Sequence, residues 1–415
     1  MALLSELDLP VLDYTDPALR GPAFHPRMAE LRAQGWLAAT PIGAMVLDRE
    51  ASEVFLRSRS TTFPGRRLAE LFGIETGPLA EELRRNILCI DGDDHRRLRN
   101  LVNPAFTPRA ADRWRPAMRT YLEQLWDAVR ADGRCEFVEA FAKPYPSLVI
   151  ATVMGAPLSD APRLHHWSNW IQKQFDAEAL MTERELIEEA VVEFYDYADA
   201  LLSARRDDRG EDLVSTLLAA EADGDRLSDV ECVNLVLNVL IGGVDTTQSQ
   251  LAHAIRLLAE HPEQWTALHA DPSLAAGAVE EALRYEPITP FTARIVLEDM
   301  EVRDVAFPAG TVVLVASCTA NRDGLEEPER FDITRTDGGR LTTFGAGIHY
   351  CLGANLARAE LQEGLGFLAT HIEHLELDGD PIYGGVTGIY GLDRLPIRFE
   401  ECTPPSRLDQ GSRRR

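Results

Sequence analysis

The sequence predicts a mainly α fold: a large helical body with small β-sheet patches. Three observations carry this. Apolar residues recur at spacings of three and four, as in Met118-Leu122-Leu125-Trp126-Val129 and Leu186-Ala190-Val191-Phe194-Ala198-Leu201, the period of a one-sided helix. Ser228 with Glu231 three residues on is a capping box. It opens a run of about 30 residues, to Glu260 before Pro262, whose first half is apolar on most of its circumference and belongs in the centre. Strand-like runs, in contrast, are short and scattered.

Taken in order, Gly35–Ala38 and Ala44–Leu47 flank Pro41-Ile42-Gly43 as a hairpin. From Pro104 to Ala270 the pattern is mostly helical. After Pro287 the texture changes: Ala293–Leu297 and Thr311–Val315 read as strands around a turn at Phe307–Gly310. Helix resumes after Gly353 through Leu356, Ala357, Leu361 and Leu365, and Leu395–Phe399 reads as an edge strand. From Thr403 the chain is polar, ends in three Arg, and is expected to be a disordered tail.

The 415 residues are 45% hydrophobic and 26% charged, which fits a folded globular chain. Length alone suggests two or three domains, but no Ser/Gly-rich linker divides them. The net charge of −25 argues against nucleic-acid or anionic-membrane partners, since both need a basic face. MALLSELDLPVLDY has no basic n-region and no long apolar core, and Cys232–Val244 is short and carries Asn234 and Asn238. The expectation is a soluble, cytoplasmic protein. Six cysteines with no C-x-x-C pair signal neither a zinc knuckle nor a redox pair.

One cysteine stands apart. Residues 344–360 read FGAGIHYCLGANLARAE. Gly345, Gly347 and Gly353 bracket Cys351, His349 precedes it by two, and an amphipathic helix follows. Glycines let the backbone approach something flat or large. A helix N-terminus favours the thiolate, so the loop suits a single sulfur ligand to iron. A buried filler cysteine is the commonest fate of a free Cys, and a nucleophile paired with His349 is a further alternative.

The phrase F-G-x-G-x-H-x-C-x-G-x-x-L-A-R, filled at every fixed position from Phe344 to Arg358, resembles the haem-binding signature of the cytochrome P450 family, soluble bacterial type. The resemblance implies one P450 domain over residues 1–402, with residues 403–415 as its tail. It places haem b between the long central helix and the helix after the Cys loop. It also implies Cys351 as the axial thiolate, which favours O–O cleavage. Phe344, Gly345, Gly353 and Gly242 are then cofactor contacts.

Other motifs agree in order. Gly242-Gly243-Val244-Asp245-Thr246-Thr247 puts poor helix formers inside the long helix, which by itself reads as a kink packed against a neighbour. It resembles the family's oxygen-binding kink, implying Asp245 and Thr246 as the acid–alcohol pair for proton delivery. Glu281-Ala282-Leu283-Arg284 by itself reads as a surface i,i+3 ion pair. It resembles the family's E-x-x-R, with Arg335 as the third member of a structural triad and Arg330 as the competing choice. Asp91–Arg99 resembles the family's D-x-x-x-H-x-x-x-R stretch, departing from it at Gly92 and Asp94. The resemblance implies His95, Arg99, Arg294 and His349 as cations for the haem propionates, although His95 and Arg99 also fit a solvated basic face.

By the same analogy the substrate pocket is walled by Ile87 and Leu88, by Asn238 and Ile241, by Ile288, Thr289, Phe291 and Thr292, and by Ile389. The mostly apolar set suits a hydrophobic small molecule. The irregular stretch His165–Leu180 is the expected lid. Residues 84–119 hold nine Arg against four Asp, a basic island that suits an acidic ferredoxin served by its reductase. The expected activity is an O2-dependent, monomeric monooxygenase of the hydroxylating or epoxidising kind. A peroxide-driven or oxidative-coupling enzyme of the same fold, and a non-catalytic haem sensor, are the alternatives.

Overall fold

The computed structural model describes residues 2–222 and 227–402, and the expected tail lies outside them. The chain is 59% helical with small sheets. At the centre, Ser228 caps the helix Asp229–Gly243: its Oγ accepts from Glu231 N–H, and the Glu231 carboxylate accepts from Ser228 N–H at 2.8 Å. The single long helix expected from the sequence is two consecutive helices, Asp229–Gly243 and Asp245–Glu260, broken at Val244. The cause is local. Thr246 Oγ donates to the Gly242 carbonyl at 2.6 Å, bringing a side chain into the backbone ladder. A Cβ on Gly243 would come within 2.3 Å of Ile150, so this glycine lets the helix pack directly on Pro144–Met154.

The helices Pro144–Met154, Ala161–Gln172, Arg184–Asp207 and Ala354–His371 pack around this broken pair. Residues 229–260 are long and apolar enough to cross a membrane, but 67% of the most apolar window is buried inside the fold, where the pair forms the core. The expected hairpin forms between Leu37–Thr40 and Gly43–Val46. It joins a five-stranded sheet that continues through Val312–Ala316, Phe291–Val296 and Thr61–Thr62. This sheet carries Thr292 and Arg294 inward.

The final strand corrects the sequence reading. Pro396–Glu401 is not an edge but the middle of a three-stranded sheet, flanked by Ile372–Leu377 and Arg134–Glu136. Proline is tolerated there because it is the first residue of the strand.

Candidate active site

One largely apolar cavity lies between the kinked helix pair and the Cys351 segment. Its wall includes Cys351, Phe344, Gly345, His349 and Gly353 on one side and Asn238, Ile241, Gly242 and Thr246 on the other. Ile87, Leu88, Ile288, Thr289, Thr292, Arg99 and Arg294 complete the set drawn from the sequence-derived residues. Phe291 and Ile389, expected in the wall, are not in it. Phe291 turns to the other face of its strand and packs edge-on against Phe24 at 5.8 Å. Alternation along a strand sends it away from Thr292. Ile389 instead borders a separate polar cavity beside Asp245 and Gln248.

The Cys351 loop is shaped by its own backbone. Gly345 and Gly347 take φ of 69° and 70°, which a side chain disfavours. A Cβ on Gly347 would also lie 2.7 Å from the Leu56 carbonyl oxygen. Cys351 N–H donates to the Phe344 carbonyl at 2.9 Å, closing the loop. Burial pushes the Cys351 thiol up, while the N–H groups of Gly353 and Ala354 and the Arg99 and Arg358 guanidiniums oppose it by favouring the thiolate. Gly242 and Gly353, both lining the cavity, would each point a Cβ into open space.

Two guanidiniums in this wall form no ion pair among the described residues, although Asp91 acts on Arg294 through space. Arg294 is 3% exposed, and its one hydrogen bond is to the adjacent Ala293 carbonyl. Burial pulls its pKa down to about 10. Arg99 donates to the Tyr350 carbonyl at 2.8 Å and is also pulled down by burial. His349 spends Nε2 on Asp91 at 2.9 Å, and its buried Nδ1 has no partner. His95 is not in the cavity wall; its ring packs 4.6 Å from that of His349, and burial lowers its pKa to about 4. Buried cations without anions are costly unless a ligand supplies the charge. This donor set fits a flat dianionic group held by one sulfur: a thiol on one face, unpaired guanidiniums at the margin, and glycines that leave room.

Asp245 lies behind Thr246, on the wall of the polar cavity. It is 5% exposed, and burial raises its pKa. One carboxylate oxygen accepts from Ser168 Oγ at 2.5 Å, and the other is buried without a partner. Asn169 and His165 also favour the charged form. Gln172 borders both cavities, whereas Asp245 lines the polar one and its neighbour Thr246 the apolar one. Sequence reasoning missed Ser168 and Gln172. The stretch His165–Leu180, expected as a lid, spans the end of the helix Ala161–Gln172, the turn Lys173–Phe175 and the start of the helix Ala177–Thr182, and no apolar period or motif marks which of its residues turn toward Asp245. Phe63 and Phe175, rings 5.4 Å apart at the cavity margin, were missed for the same reason.

The E-x-x-R helix, Ala275–Tyr285, holds a buried charge cluster. Arg284 Nε and Nη2 donate to the two Glu281 oxygens at 2.7 and 2.8 Å, both side chains at most 2% exposed. Arg335 Nε lies 3.4 Å from Glu281, whereas Arg330 pairs outward with Glu327 and Asp332. Arg335 is therefore the member that closes on Glu281.

The family model for cytochrome P450 matches residues 45–381. Luteothin monooxygenase of Streptomyces thioluteus is 36% identical over 94% of this chain and 96% of that protein. The cytochrome P450 monooxygenase PikC of Streptomyces venezuelae is 34% identical over 90% and 91%. Among solved structures, CalO2 superposes with a TM-score of 0.88 at 32% identity, covering 94% of this chain and 99% of that one. P450BioI, solved with an acylated acyl carrier protein, gives 0.82 at 29% identity over 91% and 98%. The chain belongs to the cytochrome P450 family and is a monooxygenase whose haem is ligated by cysteine.

Proposed function

We propose that this P450 monooxygenase binds haem b through Cys351 and inserts one oxygen atom into a hydrophobic small molecule, as a hydroxylase or epoxidase. The observation that carries this is the shared cavity. Cys351 and Thr246 line one apolar chamber, with Asp245 directly behind Thr246 on a polar reservoir. The haem would supply the oxygen-activating chemistry. Arg99, Arg294 and His349 would hold its propionates, with His95 supporting His349 from behind. Phe344, Gly345, Gly353 and Gly242 would give it room. Asp245 takes protons from the polar side, and Thr246 presents a hydroxyl on the chamber side. Glu281, Arg284 and Arg335 keep the scaffold in register. Residues 1–402 would act as one domain in the cytoplasm, as a monomer.

Electrons would come from a separate ferredoxin and its reductase. The basic island supports this less strongly than its composition does. Arg85, Arg96, Arg97, Arg115 and Arg119 are paired with acids of this chain. Among the described residues Arg109 and Arg113 form no ion pair, and the short helix Pro108–Asp112 packs on Ala354–His371, beside Cys351. A modest docking charge predicts ferredoxin-supported turnover that falls as salt rises. Turnover that is flat across ionic strength removes the electrostatic docking.

The central test is the absorption spectrum of the reduced, carbon monoxide-bound protein beside Cys351→Ala. A strongly red-shifted Soret band, lost in the variant, supports thiolate ligation at Cys351. A band unchanged by the substitution refutes it. Equal turnover with peroxide and with reduced ferredoxin would favour the peroxide-driven alternative.

A further inference from the structure

We propose that Asn238 is a specificity-determining residue, and that the substrate places a hydrogen-bond donor, a hydroxyl or an N–H, against its side-chain oxygen. This rests on reading the cavity as the substrate chamber. Asn238 lies in a wall otherwise made there by Leu235, Val239 and Ile241. Its Nδ2 donates twice, to the Asn234 backbone carbonyl at 2.7 Å and to Asn234 Oδ1 at 2.9 Å.

The orientation of this amide follows from chemistry. A backbone carbonyl only accepts, so the Asn238 atom beside it is the nitrogen. Flipping the amide would set oxygen against oxygen. Asn234 is itself buried, 2% exposed, and donates to Tyr195 Oη at 3.0 Å from the helix Arg184–Asp207. The chain Tyr195–Asn234–Asn238 therefore anchors the amide from outside the chamber. Both Asn238 N–H groups are used, and among the described residues Oδ1 takes no donor. Asn238 is half-buried, and its oxygen is not closed off.

Of the other polar groups of the wall, Thr246 is already committed as a donor to the Gly242 carbonyl in the helix break, and the Thr289 and Thr292 hydroxyls rotate and serve either role. Gln250 donates its amide to the Ala282 and Glu286 carbonyls, so it too is fixed, but its oxygen is closed off by burial. Asn238 is thus a fixed acceptor in an apolar surface. A ligand hydroxyl or N–H satisfies it, whereas a carbonyl at the same place leaves two acceptors facing each other.

The test uses the haem-loaded protein and a pair of probes alike in size, cyclododecanol and cyclododecanone. Binding is followed by spin-state shift and independently by calorimetry. Wild type is expected to bind the alcohol about tenfold more tightly than the ketone. Asn238→Leu should bring that ratio near one by weakening the alcohol alone. Asn238→Ala, which removes the acceptor without adding bulk, should also bring the ratio near one; it decides the matter if Asn238→Leu loses haem. A ratio of one in wild type, or one unchanged in the variants, overturns the role of Asn238 and leaves the substrate chamber standing. Failure of both probes to bind wild type by either readout overturns the chamber reading, and this proposal with it.

Discussion

Cys351 sits in a loop shaped within its own stretch of chain, whereas Asp245 is held by a serine 77 residues earlier. The two sides of the cavity differ in kind. On the cysteine side the glycine turns and the Phe344–Cys351 hydrogen bond are contiguous in sequence, and the buried Glu281–Arg284 pair lies within one turn of helix. On the facing side, Ile87, Gln172, Asn238 and Thr289 come from four separate segments. The first side has little freedom to vary, because each change strands a charge or a carbonyl. The second can change one residue at a time and so can be tuned to a substrate.

The largest effect should come from breaking the rigid side. Arg284→Leu leaves the Glu281 carboxylate buried with the Asp332 N–H at 2.8 Å and Arg335 at 3.4 Å as its remaining partners. Removing one member of a buried pair costs about 3–5 kcal/mol. Denaturant unfolding of the variant should show a loss of that size together with low haem content. A loss under about 1 kcal/mol, the value of an exposed pair, would put the cluster on the flexible side of the comparison.

Asp245→Asn tests the facing side. It keeps the shape and removes the proton, so O2-dependent product formation should fall about 100-fold or more, the usual share of a general acid. Stability should barely change. Ser168→Ala should do less, about tenfold or under. It also has a signature that a packing role lacks. The Ser168 hydroxyl favours the charged form of Asp245. Without it the pKa of the acid rises further, and the limb of the pH–rate profile that Asp245 governs should move to higher pH. A lower rate with an unmoved limb would make Ser168 a packing residue only.

The same contrast governs how far the sequence could be read. The Cys351 segment, the kink and the E-x-x-R pair were visible because their partners lie a few residues apart. The capping box at Ser228 was visible for the same reason. The strand Pro396–Glu401 was misplaced at an edge, since its partners lie about 20 and 260 residues away and leave no local mark. Phe291 was misassigned because a one-residue step on a strand reverses the face, and Ile389 because it lies in an irregular bend whose direction no period marks. Ser168 and Gln172 carry no motif; their importance comes only from what the fold brings beside them.

A pH-dependent measurement tests whether the tunable side carries a titrating group. Glu82 is fully buried on the helix Pro78–Arg85, and burial raises its pKa to about 7. One oxygen accepts from Asn86 Nδ2 at 2.7 Å, and the other has no partner. Asn86 Oδ1 in turn accepts from Leu88 N–H, in the loop that carries Ile87 and Leu88 into the cavity wall. The folded pKa lies above the ordinary 4.5, so the folded state holds the proton more tightly than the unfolded chain. Stability from this group is full below pH 4.5 and is lost as pH rises through about 7. The slope inside that window is at most about 1.4 kcal/mol per pH unit. Glu82→Gln keeps a hydrogen-bonding amide and cannot ionise, so its stability should lose that slope and match or exceed wild type above pH 7. The anchored loop should respond in the same direction, with faster amide exchange at Leu88 in wild type than in the variant at pH 8. Equal slopes in the two proteins would show that Glu82 does not titrate in this window, and that the loop over the cavity is held independently of pH.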